Sequence, residues 1–191
     1  MKKITIIICS LFIFSFSQAQ NEVNTLIKNS PFHFFDGTFH LSYEKSLSSN
    51  KSINISAGFH LRDNNNYSDN QDIGWVGELQ LRRYLLHKVD NKSKLNGFFV
   101  APYVKGGYFS VEEENYYYDE DIEYSTTKEI KSFQGGVLMG YQMVFSDIVA
   151  LEFFLGGGMQ YADSDYHVDI YQVKGYTGVV PRIGFNVGVS F

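Results

Sequence analysis

Seven charged residues recur on one face of segments that alternate apolar and polar side chains. Glu44, Glu78 and Glu152 are negative; Arg62, Arg82, Lys105 and Arg182 are positive. Residues two apart on a strand share a face. If that face looks into a narrow barrel, the carboxylates and cations can pair across the lumen. Buried pairs of this kind contribute little net stability, yet breaking one partner alone costs ~3–5 kcal/mol. The chemistry predicted is therefore a charge network that plugs the lumen. A narrow ion path is the alternative use of the same groups.

A second cluster lies between Val111 and Glu129. It holds Glu112, Glu113, Glu114, Asp119, Glu120, Asp121 and Glu123, interleaved with Tyr116, Tyr117, Tyr118 and Tyr124. Clustered carboxylates are oxygen ligands suited to Ca²⁺ or Mg²⁺. The glycine turn and ligand spacing of an EF-hand are missing, however. The expectation is a solvated, self-repelling external loop. Cation binding, or recognition of a basic partner through tyrosine contacts, is the functional alternative. No metal site and no cofactor are expected.

The histidines are His33, His40, His60, His87 and His167. His40 and His60 share the inward parity, with Ser42 and Ser56 nearby in the pattern. Nucleophilic catalysis needs a nucleophile, a base and an orienting group in hydrogen-bond reach. No lipid-facing Ser–His–acid set stands out, so these histidines are expected to be lumen hydrogen-bonders and the chain is expected not to be an enzyme.

The elements that must position these groups are strands. In Val179–Phe191, residues Val179, Pro181, Ile183, Phe185, Val187, Val189 and Phe191 share one face; Arg182, Gly184, Asn186, Gly188 and Ser190 share the other. The same period of two runs through Thr38–Lys45, Ile53–Arg62, Trp75–Leu85, Phe98–Ser110, Phe133–Phe145 and Val149–Tyr161. Each is close to the ~9–11 residues that a tilted strand needs to cross a bilayer. The connections alternate too. Leu47–Ser52, Leu86–Asn96 and Ser146-Asp147 are short or turn-like, whereas Asp63–Asp72, Val111–Glu129 and Ala162–Gly175 are longer and more polar. Short periplasmic turns and long external loops are the habit of outer-membrane barrels.

An even strand count requires one more strand before Thr38. Asn21–Phe35 is the candidate, despite Pro31, with a hairpin turn at Asp36-Gly37. With these directions, Phe59, Trp75, Tyr108, Phe133 and Tyr161 form an outer aromatic girdle. Tyr43, Phe98, Tyr141, Phe145 and Phe191 form an inner one, where amphipathic rings are favoured. Lys131 is expected at the outer rim, facing lipid phosphates or water.

Residues 1–20 are set apart. Lys2 and Lys3 precede an apolar run, Ile4–Phe16, and Ser17-Gln18-Ala19-Gln20 suits cleavage, so a secretory signal peptide is expected, with the barrel over residues 21–191. Cys9, the only cysteine, lies inside that run, which leaves no disulfide framework. Without Lys2 and Lys3 the basic residues fall from 16 to 14 against 21 acidic ones, a net charge of −7, which argues against nucleic acid as a partner.

The chain resembles the small outer-membrane β-barrel family of Gram-negative envelopes, in its single-barrel form. The carrying segments are VVPRIGFNVGVSF, GTFHLSYEKSL with KSINISAGF, GELQLRRYLL, GFFVAPYVKGGY, and GGVLMGYQMVF followed by IVALEFFLGGGMQY. The resemblance covers about residues 30–191. It implies an all-β, closed, eight-stranded antiparallel transmembrane barrel without an appended periplasmic domain. It also implies that Phe191 is part of the signal read by the barrel-assembly machinery. The expected protein is a monomer in the outer membrane, in contact with lipid and lipopolysaccharide, with a structural or surface-interaction role. A small pore or uptake protein, a lipid-modifying enzyme and a soluble lipocalin-like barrel are the rivals.

Overall fold

A computed structural model describes residues 24–63, 71–86, 94–116, 123–163 and 176–191. Its strands are β1 (Thr25–Asn29), β2 (Thr38–Ser48), β3 (Lys51–Asp63), β4 (Gln71–Leu86), β5 (Gly97–Tyr116), β6 (Glu123–Phe145), β7 (Val149–Asp163) and β8 (Gly178–Ser190). They pair in chain order, all antiparallel, and β8 returns to β1 to close the barrel. Closure leaves no sheet edge along the shared circumference. The expected signal peptide lies outside the described residues, as do most of the loops after β3 and β7.

Alternation explains which side of each strand looks outward. Ile183, Val179, Met159, Trp75 and Leu155 stand exposed on the exterior, Ile183 at 88%. Their neighbours along the strands, Arg182 beside Ile183 and Gln160 beside Met159, turn inward. An apolar exterior around a polar interior is the reverse of a soluble lipocalin-like barrel. Cross-strand register then aligns the exterior rings into rows. Phe39, Phe59, Trp75 and Tyr108 are successive partners near one end, and Trp75 stacks on Tyr108 at 6.3 Å. Phe98, Tyr141, Phe153 and Phe185 are successive partners on the other side of the barrel.

Two expectations need correction. The first strand does not run across Asn21–Phe35. It occupies only Thr25–Asn29, and a 3-10 helix, Pro31–Asp36, follows. Proline lacks the N–H that a ladder needs and suits the first helical position, so Pro31 ends the strand and starts the helix. Gly37, in the left-handed region at φ 76°, caps it and donates its N–H to Phe34 O at 3.2 Å. The helix packs on β2 and β8 where β1 has ended.

Val111–Glu129 is likewise no simple loop. β5 runs to Tyr116 and β6 starts at Glu123, with Glu112 opposite Thr127, Glu114 opposite Ser125 and Tyr116 opposite Glu123. The β-branched and aromatic residues interleaved with the acids favour extended pairing. This hairpin rises beyond the ends of β4 and β7, whose ladders with β5 and β6 stop at Val111 and Lys131. Asp119, Glu120 and Asp121 fall outside the described residues.

At the opposite end the turn between β6 and β7 is tight. Ser146 and Asp147 both carry positive φ (50° and 56°), and Ile148 N–H donates to Phe145 O at 3.0 Å. Positive φ at both central residues matches the twist of the flanking strands. We call this the turn end, and the end carrying the β5–β6 extension the hairpin end.

Large side chains in the lumen are matched to missing ones on the neighbouring strand. Phe99 is paired with Gly140, Phe109 with Gly74 and Phe154 with Gly184. A Cβ built on Gly184 would sit 2.3 Å from Phe154 Cζ, and one on Gly74 would sit 2.2 Å from Phe109 Cδ1. Each ring therefore lies flat across a neighbouring strand that has no side chain there, which is how rings fit inside an eight-stranded circumference.

Candidate functional site: the charged lumen

The turn-end half of the lumen is a buried ion cluster. β1 supplies Lys28, β2 Glu44, β4 Arg82 and β7 Glu152, and all four are at most 2% exposed. Lys28 Nζ donates to Glu44 Oε2 and Glu152 Oε2, both at 2.5 Å, and to Gln142 Oε1 at 2.9 Å. Arg82 Nη1 donates to the same two carboxylates, at 2.9 and 2.7 Å, while its Nη2 donates to Glu152 Oε1 at 3.0 Å. The remaining lone pairs are occupied as well. Ser52 and Tyr84 hydroxyls donate to Glu44 Oε1, and Asn186 Nδ2 donates to Glu152 Oε1. Two cations against two carboxylates leave the cluster neutral, and hydrogen-bond saturation is what makes such burial tolerable.

The arrangement follows from strand parity. Each member takes the inward position of its strand at the same level, so side chains from opposite walls meet near the axis. Phe99 lies beneath the Arg82 guanidinium, with Cζ 4.4 Å from the ring centroid. Leu95, from the connection before β5, is also buried there, and its carbonyl accepts from Gln142 Nε2 at 2.7 Å.

A relay of hydrogen bonds links this cluster to a second ion pair. Arg82 Nε donates to Gln80 Oε1 at 2.8 Å, and Gln80 Nε2 donates to Glu78 Oε1 at 2.6 Å. Glu78 is clasped by Arg182 through two bonds, 3.1 and 2.8 Å. Arg182 also lies over the Tyr103 ring, 4.5 Å from its centroid. Glu44, Arg82 and Glu152 are thus brought together, and Glu78 with Arg182. Lys105 lines the wider half above them. Arg62 belongs to β3, but its side chain lies outside the described residues, as do those of Glu112, Glu113, Glu114 and Glu123.

Sequence reasoning missed Lys28. Its strand alternates over only five residues, too few for periodicity to register. A charge count at its level is the signal that could have found it. Glu44 and Glu152 face a single cation, Arg82, and a second is required for neutrality.

Beyond the relay the lumen widens into a cavity of about 400 Å³, lined by His33, His40, Glu78, Lys105, Gln134 and Arg182 among others. The His33 and His40 rings lie 5.1 Å apart, and Thr38 Oγ1 is 2.8 Å from His60 Nδ1. Ser42 Oγ donates to Asn54 Oδ1 at 2.8 Å. No group of three His, Cys, Asp or Glu residues placed to hold a metal ion occurs among the described residues.

Residues 4–181 match the family described as "Protein of unknown function (DUF3575)". The chain belongs to the DUF3575 family. Among solved structures, this DUF3575 chain is similar to the N-terminal β-barrel domain of Pseudomonas aeruginosa OprF. That similarity is at 15% identity and a TM-score of 0.38, covering 90% of this chain and 100% of that one. No curated protein matches it.

Proposed function

We propose that this chain is an outer-membrane barrel with a structural and surface-interaction role, its lumen closed to solute flow. One observation carries the reading: an apolar belt outside and a saturated ion cluster inside. Water would not tolerate Ile183, Val179, Met159 and Tyr161 side by side on a monomer's surface, whereas hydrocarbon favours them. Lys28, Arg82, Glu44 and Glu152 leave an ion no unoccupied ligand at their level. The long β5–β6 hairpin, rich in Glu and Tyr, is the part displayed to the outside.

The same reading gives the partners. Lipid and lipopolysaccharide contact the belt. The barrel-assembly machinery reads Phe191, which follows the last strand and whose N–H donates to Thr25 O at 3.1 Å across the closing seam. Two measurements test the proposal. Envelope fractionation with a heat-modifiability gel is expected to find the protein in the detergent-extracted membrane, migrating differently before and after boiling. Planar-bilayer recording of pure protein is expected to show no steady unitary current. Recovery in the soluble fraction would remove the membrane assignment, and large steady currents would remove the plug.

A further inference from the structure

We propose that the barrel wall has a lateral port between β8 and the 3-10 helix, which admits an uncharged amphiphile, an alkyl chain ending in a hydroxyl, from the bilayer to the lumen cavity. The port presupposes the membrane setting proposed above. The wall is incomplete on one side. β1 stops at Asn29, so it pairs with β8 only from Val187 to Ser190. From Gly178 to Asn186 no strand lies on that side of β8 among the described residues. The 3-10 helix stands there instead, touching both β2 and β8. Its N–H groups serve its own carbonyls: His33 donates to Ser30 O and Gly37 to Phe34 O, both at 3.2 Å. A helix bonded to itself does not continue a ladder. Ser30 Oγ, at its start, donates to Phe185 O at 3.2 Å.

The edge left over has a defined direction. Ser190 N–H donates to Ile148 O, beside β7, and Phe191 N–H to Thr25 O, on β1. Backbone groups alternate sides along a strand, so the odd-numbered residues of β8 direct theirs at the seam. Val179 and Ile183 each offer a donor and an acceptor there, and Pro181 an acceptor alone. Proline is confined to strand edges because it has no N–H for a ladder, and the one missing at Pro181 would have faced the seam. Backbone outside a ladder is tolerated at membrane depth where it lines a cavity. The cavity of about 400 Å³ reaches this edge: the other strands contribute only inward residues to its lining, whereas β8 adds Pro181 and Ile183, both exposed on the outer face. The outer mouth is apolar. Phe34 and Phe39, with rings 5.9 Å apart, stand on one bank and Ile183 on the other. Val180 and Phe154 line the space within. An entering molecule crosses apolar surface, then backbone donors and acceptors. An alkyl chain matches the first, and a hydroxyl, which both donates and accepts, matches the second. The ion cluster still seals the lumen along its axis, because the port opens sideways on its hairpin-end side.

The test uses the full chain in lipid nanodiscs, with ¹⁵N amides and ¹³C-labelled Ile and Val methyl groups. Magnetisation transfer from lipid chains to the Ile183 methyl groups is expected before any addition, and it reports the membrane setting by itself. In chain-deuterated lipid, decanol is expected to shift the Ile183 amide saturably and to transfer magnetisation to the Val180 methyl groups, which are buried on the lumen side. Decane, titrated in parallel, is expected to be at least about 5-fold weaker, roughly the worth of one neutral hydrogen bond. Ile183→Pro removes a seam donor and is expected to weaken decanol by about 5-fold, with heat-modifiable migration showing that the variant is folded. Equal binding of decane, or of decanol to the folded variant, would overturn the part given to the β8 edge. Lipid contact at Ile183 without a saturable decanol shift would overturn the port and leave the membrane setting standing. Shifts at Val76, across the cavity, with Ile183 unmoved would mean entry by another route, and the port would fall. No lipid contact at Ile183 would overturn the membrane setting and the port with it.

Discussion

The two halves of the lumen share one circumference and one set of eight strands, yet one is solid and the other hollow. At the turn end, long side chains from four strands converge: Lys28, Glu44, Arg82 and Glu152, with Gln142, Tyr84 and Phe99 packed around them. At the hairpin end, Gly58, Thr38, Ser132 and Val76 occupy inward positions, and a cavity of about 400 Å³ remains. An eight-stranded barrel is just wide enough for side chains to fill. Whether it is filled is therefore decided residue by residue, by side-chain length, and not by the backbone. The solid half holds its shape through mutual charge satisfaction, and the hollow half through rings seated over glycines.

The sharpest way to break this contrast is to remove one member of the solid half. Arg82→Ala leaves two carboxylates facing Lys28 alone, and an unpaired buried charge costs ~3–5 kcal/mol. Denaturant unfolding in bilayers or micelles should show that loss. Adding Glu152→Gln should return part of it by restoring neutrality. If the double variant is as unstable as the sum of the singles, the residues act independently and the cluster is not a unit.

A smaller effect is expected where rings meet glycines. Gly184→Ala puts a methyl against the Phe154 ring, and overpacking of this kind costs about 1–3 kcal/mol. Phe154→Leu in the same chain should recover part of the loss, since the added methyl then has somewhere to go. Equal stability of Gly184→Ala and wild type would mean that the ring is free to move and that the hollow half is not shaped by this pair.

The smallest effect is expected outside the lumen. Lys131 approaches Glu129 at 3.6 Å with both side chains more than half exposed. Such pairs are screened, and Lys131→Ala should change stability by no more than about 0.5 kcal/mol. A larger loss would show that charge at the rim contributes to stability as charge in the lumen does.

Much of this was legible without coordinates. The period of two located seven strands, because alternation is a property of the strand itself and registers over ten residues or more, but it ended β5 six residues early and began β6 ten residues late. It also separated Glu44, Arg82, Glu78, Glu152 and Arg182 from the outward residues beside them. It failed where a segment was short or its role was set elsewhere. β1 spans five residues, too few for alternation to single out Lys28, and Pro31, which in sequence looks like an interruption of a strand, starts a helix. In the acidic stretch charge suggests a solvated loop, whereas partner residues across the hairpin allow Glu112 to Tyr116 to continue as a strand.

The amino-acid order alone determined the strands, the side of each that is greasy and the set of charges that turn away from it, because these depend on neighbours along the chain. Only the closed tertiary structure decided which charges touch. Lys28 and Glu152 lie 124 positions apart, and nothing local relates them. They meet because β1 closes against β8 and brings the first and seventh strands to the same level of one narrow lumen. Within the closed circumference, the reach of the inward side chains then left one half of that lumen sealed and the other hollow.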